Sequence, residues 1–399
     1  MPDHYMEATQ CRICAGKDFA PVLDLGEQYI ANAFHHGNDA PTLKAPLKLI
    51  RCPTCGLVQL AHSIKRDLMY RSYWYRSGVN QTMRSHLKEI AEDVQRHAKL
   101  HNGDKVLDIG CNDCTLLANY PQETYKVGVD PSNIEANDLN LFVNDYFTAE
   151  KLSGEKFKAI TSIAMFYDLD DPKQFVQDVR KCLQDDGIWV LELSYLPAML
   201  RTNSYDSVCH EHVCFYTLET FTKALEGNDL EIFDVKFNNM NGGSFRLFIC
   251  PIGKRKISPR VLKARGIEKT GRFNEDAPYN EFSNNVKKSA EELLRFLAYT
   301  RKEKVYGYGA STKGQVILQF CQFNDDDLIA IAERNPLKHG LLTPGTNIKI
   351  CSEEEMRVAK PDYLLVFPWY FLEEFREREK ALLSSGTRFV QPLPRFKIL

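Results

Sequence analysis

The sequence of 399 residues predicts an α/β protein in which a small cysteine-bearing module precedes two Rossmann-like domains. Three observations predict this class. Two Cys-x-x-Cys pairs lie near the N-terminus, short apolar runs alternate with helix-like segments through the centre, and a second strand–glycine–helix pattern follows residue 300. One ordinary core cannot accommodate this length, so we expect domains at residues 1–68, 69–250 and 251–399.

Composition and charge exclude several classes of protein. The formal net charge of −2 provides no broad basic field for nucleic acid. No apolar run has the length of a membrane span, and the N-terminus lacks the profile of a signal peptide. We therefore expect a cytoplasmic protein, a monomer, that binds neither nucleic acid nor membrane.

The cysteine pairs predict a metal site. Cys11, Cys14, Cys52 and Cys55 form two knuckles, and a glycine follows each of them. Four thiolates complete a tetrahedral zinc site with no open position, so the metal is expected to be structural. Strands at 22–26 and 47–50 would bring the knuckles together. Free thiols or a redox pair fit this spacing less well.

A segment dense in aromatic residues and arginine follows at 69–78. It is expected either to dock the cysteine module on the next domain or to face a substrate. A helix is predicted from about Thr82 to Leu100, with apolar residues along one face.

The central feature is a short apolar run, Val106–Ile109, that stops at Gly110 and leads towards a helix starting near Thr115. A second run, 125–129, ends in Asp130. The glycine allows a ligand close to the backbone, and the acid can accept hydrogen bonds from ribose hydroxyls. A single glycine without Gly-Lys-Ser/Thr favours a ligand without phosphate at the turn. S-adenosylmethionine fits, with Asp108 and Asp113 near its charged end. The alternative is an ordinary strand–turn–helix of an α/β fold.

Further strands complete a central doubly wound sheet. The apolar runs 141–143, 157–166 and 187–193 are predicted strands, and 172–183 is a predicted helix. The loop after the fourth strand, 166–168, is expected to face the ligand crevice.

The segment His210-Glu211-His212 carries the only obvious acid–base groups. If this segment is extended, the histidines lie on one side and the glutamate on the other. The alternative is a surface loop with two ordinary histidines. A turn at 241–246 then leads into a strand at 247–250, and a linker containing a helix is predicted at 254–285.

The last part of the chain repeats the strand–glycine–helix pattern at 304–314, after a helix predicted from about Ser289 to Thr300. Strands are predicted at 329–332 and 363–367. A lone Gly-x-Gly fits a nucleotide site or a purely structural Rossmann-like half about equally. Lys313, near a helix N-terminus, would suit a phosphate.

Several motifs occur together in one order: the cysteine pairs, Asp-Ile-Gly-Cys-Asn-Asp, Cys-His-Glu-His, Asn-Gly-Gly-Ser-Phe-Arg and Tyr-Gly-Tyr-Gly-Ala-Ser-Thr-Lys-Gly. In this combination the whole chain resembles the S-adenosylmethionine-dependent C-methyltransferases that act on C3 of nucleotide-linked 4-keto-6-deoxy sugars. The resemblance implies a zinc-binding module, a central cofactor domain, and a C-terminal domain that helps hold the nucleotide sugar.

The resemblance also implies site residues. His212 is the expected base, with Glu211 beside it, and Tyr75 or His210 is the expected donor to the enolate oxygen. Asp108, Gly110, Asn112, Asp113, Asp130 and Phe166 are expected at the cofactor, and Asn241, Ser244, Arg246, Ser311 and Lys313 at the substrate. Some relatives carry a tyrosine at the position of Cys209 and a histidine after the fourth strand, where this chain has Phe166 or Tyr167.

Two other functions remain open from the sequence. One is an O- or N-methyltransferase for a small molecule, which needs a base but no donor for an enolate. The other is a nucleic-acid-binding or modifying protein that grips the polymer with its zinc knuckles, and the charge gives it little support. The sequence does not distinguish a dTDP-linked from a GDP-linked sugar.

Overall fold

The computed structural model describes residues 4–37, 39, 43–70, 75–134 and 138–399. The N-terminal part forms a small antiparallel sheet around the two cysteine knuckles. Both strands predicted between the knuckles are present. The elements are β1 Tyr5–Glu7, β2 Ala20–Tyr29, β3 Lys44–Arg51, β4 Val58–Leu60, β5 His62–Ile64 and α1 Asp67–Tyr70.

The central domain contains a seven-stranded sheet in the order β12-β13-β10-β9-β6-β7-β8, in which only β13 runs antiparallel to its neighbours. The two-residue strand β11 leaves this domain and pairs with β4 of the N-terminal module. The elements are α2 Gln81–Ala98, β6 Lys105–Ile109, β7 Tyr125–Val129, β8 Leu141–Val143, β9 Phe157–Ile163, α3 Pro172–Cys182, β10 Leu183–Ser194, α4 Leu196–Arg201, β11 Cys214–Phe215, α5 Leu218–Leu225, β12 Leu230–Asn238 and β13 Ser244–Pro251.

The C-terminal domain contains a six-stranded sheet in the order β16-β15-β14-β17-β18-β19, parallel except for β19. The elements are α6 Pro259–Gly271, α7 Ala277–Tyr299, β14 Val305–Tyr308, α8 Thr312–Phe320, β15 Ile331–Glu333, β16 Ile350–Ser352, α9 Glu353–Ala359, β17 Tyr363–Val366, α10 Leu372–Arg378, α11 Lys380–Ser384, β18 Arg388–Gln391 and β19 Lys397–Ile398.

Two local predictions were wrong. The helix expected near Thr115 is only a 3-10 turn, Leu117–Asn119. The helix expected inside the linker at 254–285 is present as α6, but the helix predicted from about Ser289 begins at Ala277, so α7 is a single helix of 23 residues. Within the described parts of the chain, no helix has the length and apolar composition needed to cross a membrane.

Candidate functional site

The carboxyl ends of both large sheets open onto one cavity of about 830 Å³. In the central sheet the chain reverses its direction of winding between β6 and β9, and in the C-terminal sheet between β14 and β17. Ligands of α/β proteins bind at such switch points. The N-terminal module supplies further wall residues, among them Phe34, Lys65 and Tyr70. All three parts of the chain therefore enclose one site, whose volume is typical of ligand pockets.

The turn after β6 has a backbone that only specific residues tolerate. Gly110 has φ +73°, and a Cβ atom there would lie 3.0 Å from the side chain of Met165. Asn112 also has a positive φ, and its backbone N–H donates to Asp130 Oδ2 at 2.9 Å. Asp130 Oδ1 accepts from the backbone N–H of Ser132 at 2.9 Å. Asp130, at the end of β7, therefore holds the glycine turn by a hydrogen bond and also lines the cavity.

The residues at this turn fit S-adenosylmethionine. Asp108 is 3% exposed, and its Oδ1 accepts a hydrogen bond of 2.6 Å from the Thr161 hydroxyl. Burial raises the pKa of Asp108 to about 7, with a further increase from Asp130. A cation beside Asp108 would favour its ionised form, which suits the sulfonium and ammonium groups. Apolar wall residues next to these acids can receive the adenosine; they include Ile109, Leu116, Phe147 and Met165.

The loop before α2 is tied to the same turn. The Ser77 backbone N–H donates to Asn112 Oδ1 at 3.1 Å, and the Gly78 N–H donates to Asp113 Oδ2 at 2.7 Å. Asn112 Nδ2 donates to the carbonyl of Tyr75 at 3.1 Å. Tyr75 therefore lies at the cavity wall, while Asp113 fixes the loop and is not part of the wall. Residues 71–74 of the aromatic segment lie outside the described residues.

The His-Glu-His segment is a turn, closed by a hydrogen bond of 3.1 Å from the His212 N–H to the Cys209 carbonyl. The expectation that both histidines share one side of an extended segment was wrong, because a turn does not alternate its side chains. Glu211 and His212 line the cavity together. His210 points the other way, and its Nε2 lies 3.1 Å from the carbonyl of Ala45 in β3. Burial lowers the pKa of His210 to about 4, so it is neutral at pH 7.

His212 has the geometry of a base. Its Nδ1 lies 2.7 Å from the carbonyl oxygen of Ser207, an atom that can only accept, so Nδ1 carries the proton. The lone pair is therefore on Nε2. Burial, together with the charge of Lys313, lowers the pKa of His212 to about 3. The Tyr167 ring, with its centroid 4.2 Å from that of the imidazole, holds the ring in place.

Two carboxyl groups next to this base have unsatisfied oxygens. Among the described residues, three buried carboxylate oxygens have no hydrogen-bond partner. They are both oxygens of Glu211 and Oδ1 of Asp168. Burial raises the pKa of both groups, and Glu211 raises that of Asp168 further. Both residues line the cavity. Buried unpaired oxygens are costly, so this pair is suited to donors on a substrate. The sequence pointed to Asp168 only through its place after the fourth strand.

The C-terminal domain contributes Ser311 and Lys313 to the cavity wall, and Asn241 lies beside them. The Ser311 hydroxyl caps α8 by accepting from the Gly314 N–H at 3.1 Å. Lys313 Nζ donates to the Ser207 hydroxyl at 3.0 Å and to the Asn241 carbonyl at 2.8 Å. Lys338, which the sequence analysis did not single out, also lines the cavity.

Three other expected site residues lie in the protein interior and not at the wall of the main cavity. Phe166 is fully buried, with Phe175 and Trp189 against its ring. Ser244 donates to the carbonyl of Met240 at 2.9 Å. Arg246 is 1% exposed and belongs to an ion-pair network within the central domain.

We expect Arg246→Met to destabilise the fold without changing the cavity wall. Arg246 Nε pairs with Glu192 at 2.9 Å, and its guanidinium also pairs with Asp93. Both acids are buried, and without Arg246 they keep only Lys236 and Arg96 beside Asp93 and His86 beside Glu192, so we expect a loss of unfolding free energy that approaches the about 3–5 kcal/mol of a broken buried ion pair. Urea unfolding measures this loss, with the exposed Arg265→Met as control. An unchanged midpoint would contradict it.

The two acids that pair with Arg246 also predict how the loss of unfolding free energy depends on pH. Burial alone would raise the pKa of Asp93, but Lys236 and Arg246 lower it overall, and His86 and Arg246 do the same for Glu192. A lowered pKa contributes stability that is complete above the unfolded-state pKa, about 4, and is lost as the pH falls through the folded-state pKa. The difference between wild type and variant should therefore shrink below about pH 4.

The four cysteines of the N-terminal module form a closed cluster. Their Sγ atoms all lie within 4.8 Å of one another, with Cys11 and Cys55 3.4 Å apart. Four thiolates about 2.3 Å from a tetrahedral zinc ion would be about 3.8 Å apart, so the cluster fits zinc. A Cβ atom at Gly16 would lie 3.3 Å from Cys14 Sγ, which explains the glycine after the first knuckle. With no fifth position for a substrate, the zinc is structural.

Family models match the chain in three consecutive segments. "Putative zinc binding domain" matches residues 11–70, "Methyltransferase domain" residues 80–235, and "C-methyltransferase C-terminal domain" residues 239–394. The C-methyltransferase NovU of Streptomyces niveus is 29% identical over 418 aligned positions, covering 100% of this chain and 99% of NovU.

Solved structures resemble part of the chain. A S-adenosylmethionine-dependent methyltransferase from Clostridium acetobutylicum is 13% identical with a TM-score of 0.33, covering 42% of this chain and 92% of that one. The 1,6-didemethyltoxoflavin-N1-methyltransferase of Burkholderia thailandensis is 13% identical with a TM-score of 0.33, covering 43% of this chain and 79% of that one.

Proposed function

We propose that this chain, an S-adenosylmethionine-dependent C-methyltransferase, methylates C3 of a nucleotide-linked 4-keto-6-deoxy sugar. The chain joins zinc-binding, methyltransferase and C-terminal domains in that order. The observation that carries this proposal is the position of His212. A neutral imidazole, whose Nε2 has no hydrogen-bond partner among the described residues, lines the same cavity as the glycine turn of the methyltransferase domain.

The proposed substrate is a carbon acid, and this weakly basic imidazole can deprotonate it only if the product anion is strongly stabilised. A hydrogen on a carbon beside a ketone becomes acidic when the developing oxyanion is stabilised. In the proposed reaction His212 Nε2 takes the C3 proton, the electron pair of the C–H bond forms a double bond between C3 and C4, and the π pair of the ketone moves onto its oxygen; this double-bond pair later forms the bond to the methyl carbon as the ketone is restored. S-adenosylmethionine, when bound, supplies the methyl group that the carbon accepts, and the pair of the broken S–C bond stays on sulfur.

The cavity offers groups for the rest of the substrate. The unpaired oxygens of Glu211 and Asp168 can accept hydrogen bonds from sugar hydroxyl or amino groups. Tyr75 also lines the cavity, and its hydroxyl can serve as a donor. On the C-terminal side, Ser311 and Lys338 line the wall near the N-terminus of α8, which supports a nucleotide diphosphate at this end.

Solvent exchange at carbon tests the proposal. The full chain is incubated in D₂O with dTDP- and GDP-linked 4-keto-6-deoxy sugars and S-adenosylhomocysteine, which prevents methyl transfer. We expect deuterium at C3 of at least one sugar. When S-adenosylmethionine replaces S-adenosylhomocysteine, we expect a product that carries a methyl group at C3. NMR locates both. If no sugar of the panel exchanges, or the methyl group is attached at another atom, the proposed substrate is wrong.

A further inference from the structure

We propose that Lys313 is a catalytic residue whose ammonium group donates a hydrogen bond to the oxyanion formed when His212 removes the proton. This inference rests on the proposed function and gives Lys313 a different role from the phosphate contact that its sequence position suggested. The C-terminal domain then supplies part of the reaction centre and does more than hold the nucleotide.

Lys313 is connected to the base through one residue. Its Nζ donates to the Ser207 hydroxyl, while the carbonyl of the same Ser207 accepts from His212 Nδ1 at 2.7 Å. The second bond of Nζ goes to the carbonyl of Asn241. An ammonium group has three N–H donors, so two fix its position and one remains for a ligand in the cavity. The base and the cation are thus held by a common support.

The surroundings make this charge effective. Lys313 is 8% exposed, so little water screens it. Burial lowers the pKa of Lys313, whereas the nearby acid Asp206 raises it. The Asp206 carboxylate is itself held by the Trp369 indole N–H at 3.0 Å. Tyr370, with its ring centroid 5.2 Å from Nζ, covers another side.

Other cations can serve a diphosphate. Lys338, Lys65 and Arg66 also line the cavity. Lys338 Nζ donates to the Ala310 carbonyl at 2.8 Å, at the turn just before α8. Lys313, by contrast, shares Ser207 with His212 as a hydrogen-bond partner, and its charge lowers the pKa of His212. Lys313 is therefore the cation placed next to the base.

The proton transfer balances with these groups alone. The C3–H bond breaks and an N–H bond forms at His212 Nε2. The pair that bound the proton becomes the second bond between C3 and C4, and the π pair of the ketone moves onto its oxygen, where Lys313 lowers the energy of the oxyanion by a charge-assisted hydrogen bond. Lys313 keeps its own proton throughout.

The test compares exchange at C3 in D₂O, at saturating nucleotide sugar, for wild type, Lys313→Met and the matched exposed variant Lys304→Met. We expect Lys313→Met to lower the saturated exchange rate about 10²–10³-fold, as for the loss of one oxyanion donor. Lys304→Met should exchange like wild type. Binding of S-adenosylhomocysteine to each variant checks that the cofactor domain is folded.

A second measurement needs no substrate. NMR titration of labelled histidine should show a higher pKa for His212 in Lys313→Met than in wild type, since a neighbouring positive charge is lost. Lys313→Arg, which keeps a positive charge, should recover part of both effects. If Lys313→Met proves unstable, Lys313→Gln removes the charge but keeps a polar side chain, and its comparison with Lys313→Arg provides the same test.

The outcomes separate the two proposals. If wild type exchanges and Lys313→Met exchanges equally fast at saturation, the role of Lys313 is overturned while the proposed function stands. The same holds if only KM for the nucleotide sugar rises, which would make Lys313 a phosphate ligand. If wild type exchanges no sugar of the panel, the proposed function fails, and the role of Lys313 fails with it.

Discussion

Replacing His212 with alanine should nearly abolish methyl transfer and leave cofactor binding intact. The neutral imidazole, with Nδ1 bound to the Ser207 carbonyl, is the proposed base. Loss of a positioned general base costs about 10²–10⁴-fold in rate. The turn at Gly110 and Asp130, which we propose holds the cofactor, does not depend on His212 for any of its hydrogen bonds. Turnover with a nucleotide 4-keto sugar, and calorimetry with S-adenosylhomocysteine, measure the two expectations.

The exposed His101→Ala serves as the matched control and should turn over like wild type. Equal loss of cofactor affinity and activity in His212→Ala would indicate a structural defect. A rate close to that of wild type, with the cofactor still bound, would show that His212 is not the base.

Replacing Cys52 with serine should remove the zinc and unfold the N-terminal module. Cys52 is fully buried in the cluster, and three remaining thiolates leave the metal site incomplete. Structural zinc contributes about 10–16 kcal/mol of apparent binding free energy in small zinc-dependent peptides, so a module of this size depends on it. Metal analysis should show loss of one zinc per chain, and calorimetry should show an earlier transition for this module.

The same variant should also lose activity, because the module supports the turn that carries the proposed base. Strand β4 pairs with β11, which follows directly after His212, and the carbonyl of Ala45 in β3 bonds His210. Cys351→Ser makes the same chemical change in the C-terminal core and should keep its zinc. If Cys52→Ser loses zinc but unfolds at the temperature of wild type, the metal has no structural role.

Elements with strong local patterns were predicted well. The helix expected from about Thr82 is α2, Gln81–Ala98, where Asn80 accepts hydrogen bonds from the first-turn N–H groups. Strands β6, β7 and β8 are confirmed with bounds close to those expected. In each case the apolar periodicity and the residues that end the element lie within the element itself.

Other features of the fold had no local signal. The segment after Gly110 has apolar residues but meets Pro121 too soon, and so short a segment does not sustain an α-helix. The two residues of β11 acquire strand geometry only from pairing with β4, which lies far away in the sequence. Pairing of this kind depends on tertiary structure that periodicity does not report.

The same limit applies to the site. Gly110 and Asp130 were predictable because a strand, a turn and a second strand bring them together within one unit. Arg246 follows a motif-like turn, yet its partners Asp93 and Glu192 come from other elements and make it an interior cation. The contact of Lys313 with Ser207 joins two domains, and no pattern within either domain predicts it.

A structure of the full chain with S-adenosylhomocysteine and a nucleotide-linked 4-keto-6-deoxy sugar tests the central claim most directly. We expect the sulfur atom and the Nε2 atom of His212 to flank the same sugar carbon, with Lys313 Nζ in hydrogen-bond contact with the adjacent ketone oxygen. A complex in which the sulfur and this imidazole approach different atoms of the sugar, or lie in separate parts of the cavity, would contradict the account.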